Sequence, residues 1–314
     1  MKKMTGLLVA LCFLLGSLGC QIMTPAPTPT LPPTATPAPR PTLTMTPTSR
    51  PSPTPTDEPP PAVEFDYTDA ETVSLAAFCR ETMDGLYDLR GDLGLPEHYP
   101  NGDPLRRDGE FDPNRYFQVL DHLSLADGYT LEYVYFMDEL GGRPMLYANP
   151  AGQTAYATYE DFLDGIGASY SGERSYQTPP YAYMYLDYLR ADDTPEGFFE
   201  FLSMALLGDQ FYLFWHALYH DEVFLCDESD LAYVQASMDD FELTFPEGTT
   251  DAARALDLSP QIAVGETSVM LRFVWFTKWG GFLEGIYVMD RQDPANLLDV
   301  QVNPLIEYDC GIDF

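Results

Sequence analysis

Residues 268–289, SVMLRFVWFTKWGGFLEGIYVM, decide the fold class. Val269, Leu271, Phe273 and Trp275 alternate onto one face, which is the period of a half-buried strand rather than of a helix. The run 282–289 repeats that chemistry, and Trp279-Gly280-Gly281 between the two supplies a turn. The pair therefore reads as a hairpin held by aromatic cross-strand contacts. Downstream, 297–302 is a third strand, and 305–314 closes the chain in extended or turn form. Upstream, 131–136 and 143–148 form a second hairpin around Asp138-Glu139-Leu140-Gly141-Gly142. The alternation of aromatic with small or polar residues over 181–189 reads as one more strand.

Between these strand signals the period changes to that of helices. Val73, Ala76, Ala77, Met83, Leu86 and Leu89 recur at helical spacing within 69–89, and Gly91 and Gly94 end the run. Asp112-Pro113 starts a second helix with a capping acid and a proline at its first position. A short helix is expected over 159–166. Thr194-Pro195-Glu196 opens another that runs to about Leu207, where Gly208 breaks it. Apolar segments 209–220 and 229–238 are read as two further helices, while 95–112 and 169–180 are loops. No βαβ rhythm and no internal repeat occurs. The expected class is α+β with a mostly antiparallel sheet.

The first 61 residues follow different rules. Lys2 and Lys3 precede an apolar stretch from Gly6 to Leu15, the charged and hydrophobic regions of a secretory signal. The stretch is shorter than the roughly 20 apolar residues of a membrane span. Residues 24–61 are nearly all Pro, Thr, Ser and Ala, a composition that favours extended polyproline II and buries nothing. At about 3.1 Å per residue such a tract reaches on the order of 100 Å, a semi-rigid spacer whose threonines are candidates for O-glycans. The organisation expected is a signal over 1–19, a linker over 20–61 and one folded domain over 62–314.

That domain is strongly acidic. Of the chain's 16 Lys+Arg and 49 Asp+Glu, four and two lie in residues 1–61, which leaves 12 basic against 47 acidic residues. Lys278 is the domain's only lysine. Such a surface repels phosphate backbones, so nucleic acid is excluded as a partner. It suits cations, basic partners or plain solubility. Three cysteines remain in the domain, Cys79, Cys226 and Cys310, enough for one disulfide in an exported protein. Cys226 and Cys310 flank strand-like or loop segments, whereas Cys79 sits in a helical pattern, so the pair expected is Cys226 with Cys310.

Four constellations bear on chemistry. His216 and His220 are four apart, so on a helix they would share a face and could share a metal. A zinc-protease motif needs Glu directly after the first histidine, where Ala217 stands. Asp108, Glu110 and Asp112 alternate as oxygen ligands in a turn-rich loop and could hold calcium, although EF-hand offsets are absent. Trp275 and Trp279, with Tyr181, Tyr183 and Tyr185, could stack a sugar ring, although aromatic alternation in strands serves core packing more often. Paired carboxylates for glycoside hydrolysis are not separable from the other acids without geometry. No phosphate loop, dinucleotide fingerprint or Gly-x-Ser-x-Gly occurs, so no cofactor is expected.

Ser17-Leu18-Gly19-Cys20 resembles the lipobox of bacterial lipoproteins, with Ser17 in place of the usual leucine three residues before the cysteine. The resemblance implies cleavage before Cys20, acyl chains such as palmitate on its thiol, and anchoring to the outer face of the cell membrane. An ordinary signal peptide or an uncleaved anchor is the alternative. The Trp-His-Ala-x-Tyr stretch at 215–219, Phe-Thr-Lys-Trp-Gly-Gly-Phe at 276–282 and Tyr-Asp-Cys-Gly-Ile at 308–312 are similar to uncharacterised surface lipoproteins, a likeness that implies no activity. The expectation is a tethered extracytoplasmic domain that binds an extracellular ligand or a cell-wall component. The rival is an extracellular carbohydrate hydrolase with two facing carboxylates, and a third option is an envelope-associated domain with a purely structural role.

Overall fold

The computed structural model describes residues 66–91, 93–137, 141–168, 181–240 and 243–306. Residues 1–65 with Cys20, residues 169–180 and residues 307–314 with Cys310, and with them the expected signal, linker and 169–180 loop, lie outside them. In chain order the regular elements are β1 (Thr72–Ser74), α1 (Ala76–Gly91), β2 (Leu123–Leu125), β3 (Tyr129–Met137), β4 (Gly141–Pro150), α2 (Tyr159–Gly165), β5 (Leu189–Ala191) and α3 (Pro195–Leu207). Then come β6 (Phe214–Trp215), β7 (Val223–Leu225), α4 (Leu231–Asp240), α5 (Thr249–Arg254), β8 (Gln261–Val264), β9 (Ser268–Thr277), β10 (Gly281–Asp290) and β11 (Leu297–Ile306). Every strand pair is antiparallel, and the class is α+β.

The 268–289 hairpin is the centre. β9 pairs with β10 without a register break from Thr277↔Gly281 to Ser268↔Asp290. The sheet runs β1-β8-β9-β10-β11, and β7 pairs with the end of β9 that β8 leaves uncovered. Val269, Leu271, Phe273 and Trp275 share one core with α1 and α3. Val274 and Phe276, on the opposite face, are buried with Val234 and Met238 of α4 and Ala253 of α5. Helices thus cover both faces of this end of the sheet, and β9 is apolar on both sides for that reason.

The second hairpin, β3–β4, is also two-sided. Leu131, Tyr133, Tyr135 and Leu146 enter the main core, while Val134, Phe136, Met145 and Tyr147 pack under Phe162 and Leu163 of α2. α3 is apolar nearly all round, as a buried central helix must be. Thr194 caps it by accepting from the Gly197 N–H at 3.0 Å. Asp66 fastens the front of the domain to β9, accepting from the backbone and hydroxyl of both Thr267 and Ser268. Those bonds hold its carboxyl at about 2, well below the usual range.

Four expectations are corrected. The 69–89 helix begins at Ala76, because 72–74 is drawn into the sheet as β1 against β8. The helix after Asp112 is a 3-10 turn, Pro113–Gln118. The strand expected over 181–189 is a turn followed by a 3-10 helix, Met184–Tyr188, because Tyr185 drops into the core while Tyr181 and Tyr183 stay exposed. The helix expected over 209–220 does not form.

Candidate functional site

Segment 209–222 is broken over the 209–220 stretch expected to be helical. Tyr212 and Trp215 sit at φ +55° and +57°, where side chains rarely go. Phe211 and Tyr212 turn into the core, and Phe214–Trp215 forms a two-residue strand on β4, with Gly141 opposite Trp215 and Gly142 opposite Phe214. A Cβ on Gly141 would lie 2.5 Å from the Phe214 carbonyl oxygen, and one on Gly142 would meet the Tyr99 hydroxyl. Those two glycines let the segment cross β4 so closely. They are strand glycines of close approach, not the turn glycines the sequence suggested.

Trp215 is consequently 67% exposed on a strained backbone. The register puts it on the same face of β4 as Arg143. Arg143 is only 5% exposed; its Nη1 lies 3.7 Å from Asp209 Oδ2, and its Nη2 has no hydrogen-bond partner. Burial pushes the Asp209 carboxyl up, with Arg143 opposing. Burial likewise lifts Glu222 to about 7, aided by repulsion from Asp221 and Asp209. Gln210 Nε2 donates to Glu222 Oε2. His220 goes the other way, to about 4, because burial and Arg143 both disfavour its cation. Tyr183, exposed at the rim, is in electrostatic reach of Tyr287, which also feels Glu222.

The tip of the central hairpin pins this segment. Trp279 Nε1 donates to the Leu218 carbonyl at 3.0 Å, and its ring meets Tyr219 edge-on at 4.7 Å. Lys278 Nζ pairs with Asp221 Oδ2 at 2.8 Å. The result is a half-buried cluster of opposed charges and raised carboxyls in the segment that also carries the exposed Trp215. Ionisable groups displaced in this way cluster at functional sites, although structural ion-pair networks displace them as well.

The residues singled out from sequence fare differently. His216 opens a 3-10 helix, His216–Tyr219, and His220 follows its end, so the shared α-helical face that would have paired them is absent. His216 instead lies edge-on to Trp215 and Tyr219. Asp108, Glu110 and Asp112 do not converge. Glu110 accepts from the hydroxyls of Tyr133 and Tyr135 and bonds His98 at 2.6 Å, while Asp112 caps the 3-10 turn through Asn114. Trp275 is core, 7% exposed beside Phe273, so it and Trp279 form no stacking platform. Cys226 bonds Cys79, not Cys310. Spacing of 147 residues hid that pair, and the helical position of Cys79 faces the core rather than solvent.

Two groups escaped the sequence reading. One is Arg143 with Asp209, joined only by the crossing of 209–222 over β4. The other is Asp121, His122 and Glu200, whose metal-capable atoms lie within 4.8 Å of one another. A usable signal existed for the second: past its first turn, Glu200 is the one charged residue of an apolar helix. A cleft of about 320 Å³ between α3 and 291–295 is lined by Arg190, Phe198, Phe201 and Arg291. Its Arg291 already forms a two-pronged pair with Asp193 at 2.7 Å. No known protein family, curated protein or solved structure matches the chain.

Proposed function

We propose that the protein is a lipid-tethered extracytoplasmic binding domain whose ligand is a neutral, ring-bearing solute of the carbohydrate type, held between Trp215 and the Arg143–Asp209–Glu222 cluster. Export and anchoring rest on the Lys2/Lys3 start, the apolar run and Cys20 before the Pro/Thr tract. The observation that carries the site is the exposed indole of Trp215 on a strained backbone, on the same face of β4 as a buried arginine with an unpartnered nitrogen. An apolar face for a ring with polar groups set close by is what recognition of a polyhydroxylated ring needs. The domain's acidic excess disfavours polyanionic ligands.

The test is a panel of soluble glycans titrated against the full chain and read by tryptophan fluorescence and calorimetry. At least one neutral glycan is expected to bind, and Trp215→Ala should weaken it tenfold or more while leaving the melting temperature in place. A panel with no binder, or a binder indifferent to that substitution, rejects the reading. Hydrolysis is the second reading, favoured by a Glu222 that stays protonated near neutrality beside Asp209. Release of reducing ends by the wild type and its loss in Glu222→Gln would establish it.

A further inference from the structure

Asp121 and His122 stand directly before β2, and Asp192 directly after β5. The β2–β5 pairing continues through a 3.0 Å bond from Asp192 N–H to the His122 carbonyl. Glu200, in the second turn of α3, reaches the same place, its Oε2 accepting the His122 backbone N–H at 2.8 Å. One ligand atom from each of Asp121, His122 and Glu200 lies within 4.8 Å of the other two. Among the described residues no other three metal-capable side chains converge so closely.

Proximity of acids alone is common, but two further observations concern the ligand itself. Glu200 is 0% exposed, and its Oε1 has no hydrogen-bond partner. A carboxylate oxygen buried without a donor is costly, and a cation compensates it directly. The second observation is the orientation of the imidazole. His122 Nδ1 donates to Asp192 Oδ2 at 2.7 Å, and Asp192 in turn accepts from the Thr194 hydroxyl. That puts a proton on Nδ1 and aims Nε2, the nitrogen a metal would take from the neutral ring, at Asp121, whose Oδ1 is 3.8 Å away. Histidines that ligate metals are held in this way, by a carboxylate behind the ring.

We propose that Asp121, His122 and Glu200 bind one divalent transition-metal ion, with Asp192 as the positioning residue. One imidazole nitrogen and two carboxylate oxygens suit zinc or manganese. Calcium asks for six to eight oxygens and copper(I) for sulfur, and neither is provided. Bond lengths near 2.0–2.2 Å require the three side chains to draw in slightly, which exposed Asp121 is free to do. Three protein ligands leave a coordination position for water or a bound molecule on the Asp121 side. The site shares no residue with the Arg143 cluster and stands or falls independently of it.

The full chain, stripped with a chelator, is titrated with Zn²⁺ and Mn²⁺ by calorimetry, and with Co²⁺ by visible absorption. Salt of about 0.15 M keeps the screening length near 8 Å and suppresses diffuse binding to the acidic surface. The expected result is one ion per chain, with cobalt bands that report nitrogen and oxygen ligation. His122→Asn, which removes Nε2 but can keep a bond to Asp192, and Asp121→Asn should each weaken binding ~100-fold or more. Asp192→Asn should weaken it about 10–100-fold. Glu247→Gln, at an exposed acid elsewhere, should change nothing. Absence of saturable binding overturns the proposal, as does a stoichiometry well above one that all the variants share. Because Asp121 is exposed, Asp121→Asn keeps the test decisive if a buried variant fails to fold; unchanged affinity in that variant also overturns it.

Discussion

Cys79, in the first turn of α1, is disulfide-bonded to Cys226, the residue after β7, with Cα atoms 5.6 Å apart and 147 residues between them in sequence. Both cysteines are fully buried in the main core, so the bond joins the helical layer to the edge of the central sheet from within. A loop of that length gives about 5 kcal/mol on the chain-entropy account, and removal of such bonds generally costs about 2–5 kcal/mol. Cys79→Ala with Cys226→Ala should therefore lower the urea midpoint by that equivalent. Reductant should do the same to the wild type and nothing to the double variant. An unchanged midpoint would mean that the bond does not form in solution.

Trp215→Gly separates the two readings of the strained tryptophan. Holding a side chain at φ +57° costs on the order of 1–3 kcal/mol, and glycine removes that cost while adding freedom to the unfolded chain. Because the ring is largely exposed, little burial is lost. The variant should unfold at the same urea concentration or up to about 1 kcal/mol later, and should lose glycan binding. Destabilisation beyond ~1 kcal/mol would make the ring a structural element and remove the argument for the site.

The domain's only lysine serves the fold. Lys278 is 4% exposed and bonded to Asp221, whose other donors are the Thr277 hydroxyl and the Lys278 backbone N–H. An amine-acylating reagent applied to the folded chain should leave Lys278 unmodified, and mass spectrometry of the digest checks this. Lys278→Met strands a nearly buried carboxylate and should cost about 3 kcal/mol. Free acylation of Lys278, or a neutral Lys278→Met, would show the pair to be open to water.

The central hairpin was legible in the sequence because local signals and tertiary demands agree there. Val269, Leu271, Phe273 and Trp275 alternate, Trp279-Gly280-Gly281 turns, and the register follows. Thr194-Pro195 was legible for the same reason, since a cap is a local event. Segment 209–220 was misread because its apolar spacing fits a helix equally well. What breaks it is the close passage over Gly141 and Gly142, a contact between residues some 70 positions apart. Tyr185 misled 181–189 likewise, since alternation does not reveal that one ring enters the core between two that stay outside. Arg143–Asp209 has no local signature, because it joins elements distant in the chain, and Asp121–His122–Glu200 left only one local trace, the charged Glu200 past the first turn of an otherwise apolar helix.

His220 and Glu222 titrate in opposite senses within one cluster. His220 drops from 6.5 to about 4 in the folded chain, so the unfolded chain takes up the proton first as pH falls. Its stabilising share is complete above pH 6.5 and is lost on going down toward 4. Glu222 rises from 4.5 to about 7, so the folded chain holds its proton longer as pH climbs. Its share is complete below pH 4.5 and is lost between there and 7. With Arg143, Asp209 and Asp221 around them, the two slopes oppose each other between about pH 4.5 and 6.5. Each is worth on the order of 2–3 kcal/mol. Glu222→Gln should raise stability at pH 8 by about that amount and expose a steeper acid loss from His220. His220→Asn should do the reverse, flattening the acid side and leaving the decline toward pH 7. Metal-free protein is required throughout, because burial also lifts Glu200 to about 7, with the same sign as Glu222, and Glu200 contributes equally to both variants. Urea midpoints across pH 4–8 decide it: parallel curves for the wild type and both variants would mean that neither group is buried in solution as it is here.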